Sequence, residues 1–183
     1  MIKFYEIHES VNSLYLVMEV LHGGDIFGIL ERKPSPEETR VILRQLLQAI
    51  HYLASKGIIH RDLKPDNIIL KYKDIPITKN LIKIVDFGLG TFENVEEYLF
   101  KRCGTPGFVA PEVINAIKED PFLRFTPKSD VFSVGIIFFF MLTGQIPYDG
   151  ESFSDILANN KKATINFDIP ELGLVEPSAL DLL

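Results

Sequence analysis

Between Ser35 and Val85 the chain passes through a helix signal, a charged loop and two short apolar runs, and few folds accommodate that order. Ser35-Pro36-Glu37-Glu38 reads as a capping box with proline at the first helical position. Behind it Ile42, Leu46, Ile50 and Leu53 recur on one helical face, with Leu43, Leu47 and Ala54 beside them. Gly57 is a natural helix stop. The loop His60-Arg61-Asp62-Leu63-Lys64-Pro65-Asp66-Asn67 follows. Then Ile68-Ile69-Leu70 and residues 81–85 predict two short strands joined by the polar segment 71–80. A further strand pair is predicted within residues 3–20, turning at Asn12-Ser13. Strands in front and helices behind make the fold class α+β.

The most apolar stretch runs from Val131 to Leu142, between Asp130 and Gly144. A membrane span needs about 20 apolar residues, so this stretch predicts a buried helix instead. Residues 88–110 read as irregular, and 178–183 as a last helical piece. The formal charge of −6 and the lack of a basic run argue against a nucleic-acid partner. Cys103 is the sole cysteine, so no disulfide can form within the chain. With no signal-peptide pattern at Met1–Glu6, the expected setting is intracellular and cytoplasmic. Cys103 itself reads as a half-buried structural thiol rather than a reactive one.

The segment His60–Asn67 resembles the catalytic loop of eukaryotic protein kinases, Ser/Thr branch. Asp86-Phe87-Gly88 follows behind the second strand pair, and Ala110-Pro111-Glu112 closes the segment after it, in that family's order. The resemblance covers nearly the whole chain. It implies mainly the α-helical C-lobe of a kinase-like fold with the last two strands of the N-lobe. Residues 1–20 would be the remnant of the N-lobe sheet, 21–24 the hinge and 25–183 the C-lobe. The implied activity is Mg-ATP-dependent phosphoryl transfer to Ser/Thr hydroxyls of protein substrates. The implied cofactors are ATP and Mg2+, and no membrane span is expected. The regulatory partner is left open. Phe108-Val109-Ala110-Pro111-Glu112 and Gly23-Gly24-Asp25-Ile26-Phe27 look most like the calcium/calmodulin-dependent group.

The resemblance also assigns roles. Asp62 would accept the substrate hydroxyl proton, Lys64 would reach the transferred phosphate, and Thr105 would hydrogen-bond both. Asn67 and Asp86 would hold magnesium, which is hard and takes oxygen ligands. Met18 would stand beside the adenine, the backbone of Glu19 and Leu21 would meet the base edge, Asp25 would lie at the nucleotide site, and Ile69 would floor it. Asp130 would accept hydrogen bonds from the catalytic-loop backbone. His60 would pack in an apolar column with Phe87 and Phe4, not act as a base. His8, His22 and His51 have no metal-ligand spacing.

Three features depart from the full family pattern. No Gly-x-Gly-x-x-Gly and no Lys in a Val-Ala-x-Lys strand setting precede the hinge, and no Arg that would pair with Glu112 follows. The chain is therefore expected to be a fragment that transfers little phosphate alone; the alternative is a non-catalytic, kinase-like binding or scaffold module. The usual phosphoacceptor position falls on Lys101, while Glu93, Glu96 and Glu97 lie nearby and Thr91 and Tyr98 are the other hydroxyl residues before Thr105. Activation without Ser/Thr phosphorylation in this segment is the resulting expectation. Asp25 and Asp66 favour substrates with a basic residue before the acceptor, while Phe140 stands where basic-selective relatives carry Glu.

Overall fold

The structure is a computed structural model that describes residues 1–93, 95, 102–115, 125–148 and 150–183. In chain order its strands are β1 (Phe4–Ser10), β2 (Ser13–Met18), β3 (Ile58–Ile59), β4 (Ile68–Leu70), β5 (Ile82–Ile84) and β6 (Thr91–Phe92). Its helices are α1 (Phe27–Glu31), α2 (Pro36–Ser55), α3 (Pro111–Ile114), α4 (Lys128–Thr143), α5 (Phe153–Lys162) and α6 (Pro177–Leu182). The strands pair antiparallel as β1–β2, β3–β6 and β4–β5.

Helix α2 forms where the capping box predicts. Ser35 Oγ accepts from the Glu38 N–H, and Glu38 Oε2 accepts from the Ser35 N–H at 2.8 Å. Arg32 donates both guanidinium arms to the same carboxylate, at 3.1 and 2.8 Å, which holds Glu38 below the usual carboxylate range. Ile42, Leu43, Leu46, Ile50 and Leu53 are buried, but Leu47 is 39% exposed and lies outside the apolar face. Past the end of α2, Gly57 takes φ +65°, a conformation that costs a side-chain-bearing residue about 1 kcal/mol or more.

Helix α4 packs against α1 and α2 and forms the centre of the core. Of its residues from 136 to 141, all are at most 4% exposed. It begins two residues before Asp130, so that carboxylate sits in the first turn, where orphan N–H groups and the helix dipole favour negative charge. Gly144 caps its far end. Among the described residues no helix is long and apolar enough to cross a membrane.

The β1–β2 ribbon turns at Val11-Asn12, one residue earlier than the sequence predicts, because Ser13 already pairs with Ser10. Short elements carried no periodic signal. Strand β6 pairs with β3 through Ile58↔Phe92 and Ile59↔Thr91, inside a stretch expected to be irregular. Helix α5 carries a second capping box, Ser152 with Asp155.

After β2 the chain turns onto β4. His22 N–H donates to Lys71 O at 3.2 Å, Gly23 N–H to Leu70 O at 3.0 Å and Leu70 N–H to Gly24 O at 2.8 Å. A Cβ on Gly23 would lie 2.4 Å from Leu70 Cβ and 2.6 Å from Leu70 O, so only glycine allows this approach.

Candidate active site

The loop between β3 and β4 hangs from one buried carboxylate. Asp130, 2% exposed, accepts the His60 N–H at 2.8 Å on Oδ2 and the Arg61 N–H at 3.0 Å on Oδ1. Burial pushes this carboxyl up from the ordinary range, and the two backbone N–H groups pull it back. His60 is fully buried and bonds on both ring nitrogens. The Asp62 N–H donates to Nδ1 at 3.2 Å, so Nδ1 carries no proton and Nε2 donates to Val85 O at 2.9 Å. His60 is thus a framing residue, as expected. It meets Phe87 edge-on with ring centroids 4.7 Å apart. Phe4 is 51% exposed and makes no ring contact with them among the described residues, so the expected three-ring column is two rings.

With the loop fixed this way, four predicted residues converge. Thr105 Oγ1 donates to Asp62 Oδ1 at 2.7 Å and accepts from Lys64 Nζ at 3.0 Å. Lys64 Nζ lies 3.6 Å from Asp62 Oδ2. Asn67 Nδ2 donates to Asp62 O at 2.9 Å and reaches Asp62 Oδ2 at 3.3 Å. Asp62 is therefore held in one orientation by two hydrogen-bond donors, Thr105 and Asn67, with the Lys64 ammonium as an ion-pair partner, which suits it to receive a proton from a substrate hydroxyl.

Val85 brings the Asp86 backbone to this group. Its N–H donates to Asn67 O at 3.0 Å while its carbonyl accepts from His60. Asp86 itself is exposed, with φ +58° and Oδ1 accepting the Gly88 N–H at 3.2 Å. Arg61, with φ +66°, is the other left-handed residue here. Such conformations cost a non-glycine residue about 1–3 kcal/mol and persist where surrounding contacts over-determine them. Arg61 Nε donates to Leu89 O at 2.7 Å, and its guanidinium lies 5.5 Å from the Phe125 ring centroid.

The remaining expectations fall as follows. Met18 ends β2 and is 42% exposed. Glu19 donates its N–H to Lys3 O at 2.8 Å, and Leu21 makes no backbone hydrogen bond among the described residues. Asp25 bridges to Ile69, and its Oδ1 accepts the Phe27 N–H at 2.9 Å. Phe140 is 3% exposed and packs edge-on against Phe27 at 5.8 Å. Glu112 is exposed and accepts from Ser129 Oγ at 3.1 Å. Cys103 is half-buried, and burial pushes its thiol up, which keeps it protonated as a structural residue should be. Among the described residues no cluster of His, Cys, Asp or Glu forms a metal cage. Glu96, Glu97, Tyr98 and Lys101 lie outside the described residues.

The Glu19 side chain escaped sequence reasoning. Its Oε1 accepts from Lys83 Nζ at 2.9 Å and from the Lys3 N–H at 2.7 Å, tying the ribbon to β5. The Lys83 hydrogen bond holds the Glu19 carboxyl below its ordinary value. A lowered folded pKa gives stability that is complete above the unfolded value, about 4.3, and is lost as pH falls through the folded one. Glu19→Gln should therefore lower the denaturation midpoint at pH 7 and converge with the unmodified protein at acid pH. Equal midpoints at pH 7 would show the tether contributes nothing.

Residues 1–183 match the protein kinase domain family throughout. The chain belongs to the protein kinase family. This kinase chain is 36% identical over 186 residues to Serine/threonine-protein kinase GIN4 of Saccharomyces cerevisiae, a match covering all of the chain and 15% of that relative. It is 34% identical over 187 residues to Calcium-dependent protein kinase 4 of Plasmodium falciparum, covering 99% of the chain and 33% of the relative. Against Calcium-dependent protein kinase 3 of Plasmodium yoelii yoelii the identity is 35% over 185 residues, covering 100% and 32%. The kinase chain thus spans a third or less of the length of these curated relatives.

Proposed function

We propose that this kinase chain carries the catalytic centre for transfer of the γ-phosphoryl group of Mg-ATP to Ser or Thr hydroxyls of protein substrates. The observation that carries the reading is the convergence of Thr105, Lys64 and Asn67 on the Asp62 carboxylate. Asp62 takes the proton as the substrate hydroxyl oxygen bonds to phosphorus and the bond to the β-phosphate oxygen breaks. Lys64, held by Thr105, presents an ammonium for the charge on the transferred group. Magnesium, when bound, neutralises phosphate charge. The residues present suit it: Asn67 Oδ1 makes no hydrogen bond among the described residues, and Asp86 supplies a carboxylate from an exposed turn. Two protein oxygens are what a magnesium site shared with phosphates and water requires.

The nucleotide base would lie against Met18, Leu21, Asp25 and Ile69, with the Glu19 carbonyl and the Leu21 N–H as edge partners. One Asp25 oxygen accepts the Phe27 N–H, and Phe140 is apolar and buried, so the substrate preference we propose is a single basic residue before the acceptor, taken by an acidic subsite of Asp25 and Asp66. The test is to incubate the full-length protein with labelled ATP, Mg2+ and a peptide library. Phosphoserine and phosphothreonine should appear, and Asp86→Asn should raise the KM for Mg-ATP about tenfold through loss of one ligand charge. Nucleotide binding without transfer would make the chain a non-catalytic kinase-like module and overturn the reading.

A further inference from the structure

Asn160 lies in the last turn of α5 and is fully buried, an unusual place for an amide on a helix otherwise ending in Lys161 and Lys162. Buried amides persist where their hydrogen bonds are satisfied. Here both ends are used on one loop. Asn160 Oδ1 accepts the Gly107 N–H at 2.9 Å, and its Nδ2 donates to Val109 O at 3.0 Å. That loop is the turn that carries Thr105. Thr105 O accepts the N–H groups of Phe108 and Val109 at 3.1 and 3.0 Å, and Ser133 Oγ of α4 donates to Phe108 O at 2.9 Å. The backbone from 105 to 109 is thus closed on itself and pinned from two helices.

From these contacts we infer that Asn160 is a positioning residue for the peptide substrate. It fixes the 105–109 turn from α5, and through that turn the Thr105 hydroxyl that orients Asp62 and Lys64. The inference rests on the proposed phosphoryl transfer, which brings the substrate hydroxyl to Asp62, beside the turn that carries Thr105. None of the bonds Asn160 makes reaches the segment from Met18 to Asp25 or the Asp86 turn. Its removal therefore affects the peptide side of the reaction and spares the nucleotide side. Sequence alone does not single it out, because an Asn in a polar helical stretch reads as solvated; only its burial distinguishes it.

The test compares Asn160→Leu, which is similar in volume and removes both bonds, with Leu172→Ala, a buried change in the turn before α6 whose backbone bonds among the described residues go only to Ile169 and Val175. In the full-length protein Asn160→Leu should raise the peptide KM about tenfold, lower kcat several-fold and leave the KM for ATP within about twofold. Leu172→Ala should lower Tm without moving the peptide KM. Hydrogen exchange at Gly107 should quicken in Asn160→Leu and stay slow in Leu172→Ala, a readout that needs no turnover. An unchanged peptide KM with an active parent, a parallel rise in both KM values, or unchanged exchange at Gly107 would each overturn the inference. A parent protein that transfers no phosphate would instead sink the functional reading and leave the exchange comparison to decide the role of Asn160.

Discussion

Asp62→Asn in the full-length protein lowers kcat by about 10²–10⁴-fold, the usual range for loss of a positioned general base, and leaves the KM for ATP within about twofold. The substitution preserves size, so the loop should keep its shape. The backbone bonds from Asp130 and the Asn67 bond to Asp62 O do not involve the replaced group. What changes is the character of the side chain. Two oxygens that accept from Thr105 and Asn67, with Lys64 Nζ 3.6 Å away, become one oxygen and one amide, and the amide cannot take a proton. Its NH2 also faces a donor whichever way it turns, so Thr105 and Lys64 lose part of their anchor. Steady-state kinetics with a peptide substrate measures both constants. Wild-type turnover in the variant would remove Asp62 from the mechanism.

Asp130→Asn is expected to destabilise the protein by about 2–4 kcal/mol, because a buried backbone N–H left without its acceptor costs about 1–3 kcal/mol and the charge-assisted partner is lost with it. For a chain of this size that is a fall in Tm of roughly 5–15 °C. The cause is geometric. Each Asp130 oxygen takes one N–H, from His60 and from Arg61, and an asparagine must point its NH2 at one of them. The N–H then faces an amide donor in a site 2% exposed. Thermal denaturation of the two proteins side by side checks this. A Tm within about 2 °C of the parent would mean that other contacts hold the loop, an effect below about 1 kcal/mol.

The long elements were legible in sequence because their physics is local. Ser35 and Glu38 satisfy each other within four residues, and the apolar period of α2 needs no knowledge of its partner. The α4 stretch was legible from continuous apolarity alone. It begins at Lys128, ahead of the apolar run that starts at Val131, and Asp130 spends its oxygens on His60 and Arg61, 70 and 69 residues away, as the resemblance implies. Helix α5 was missed although Ser152 and Asp155 form a capping box, a signal present but followed by a weak apolar face. Helix α1 has five residues, and β3 and β6 two each, too few for any period to show. The Asp62, Lys64, Asn67 and Thr105 group was found through family resemblance. Glu19, Asn160 and the Val85 clamp act through backbone partners distant in sequence, and residue identity carries no record of those.

The attachment of the ribbon has a mechanical consequence. From His22 to Ile26 the backbone is laced to β4, so that stretch moves with the helices. Glu19 belongs to the ribbon through Lys3, and only Val20 and Leu21 between them have N–H groups without a backbone bond among the described residues. Torsion is therefore cheapest over two residues. The ribbon is also fastened at two points along β5, Glu19 to Lys83 and the Ile2 N–H to Ile84 O at 3.1 Å. Lifting the ribbon away from β5 means breaking both the Glu19–Lys83 ion pair and the Ile2–Ile84 hydrogen bond.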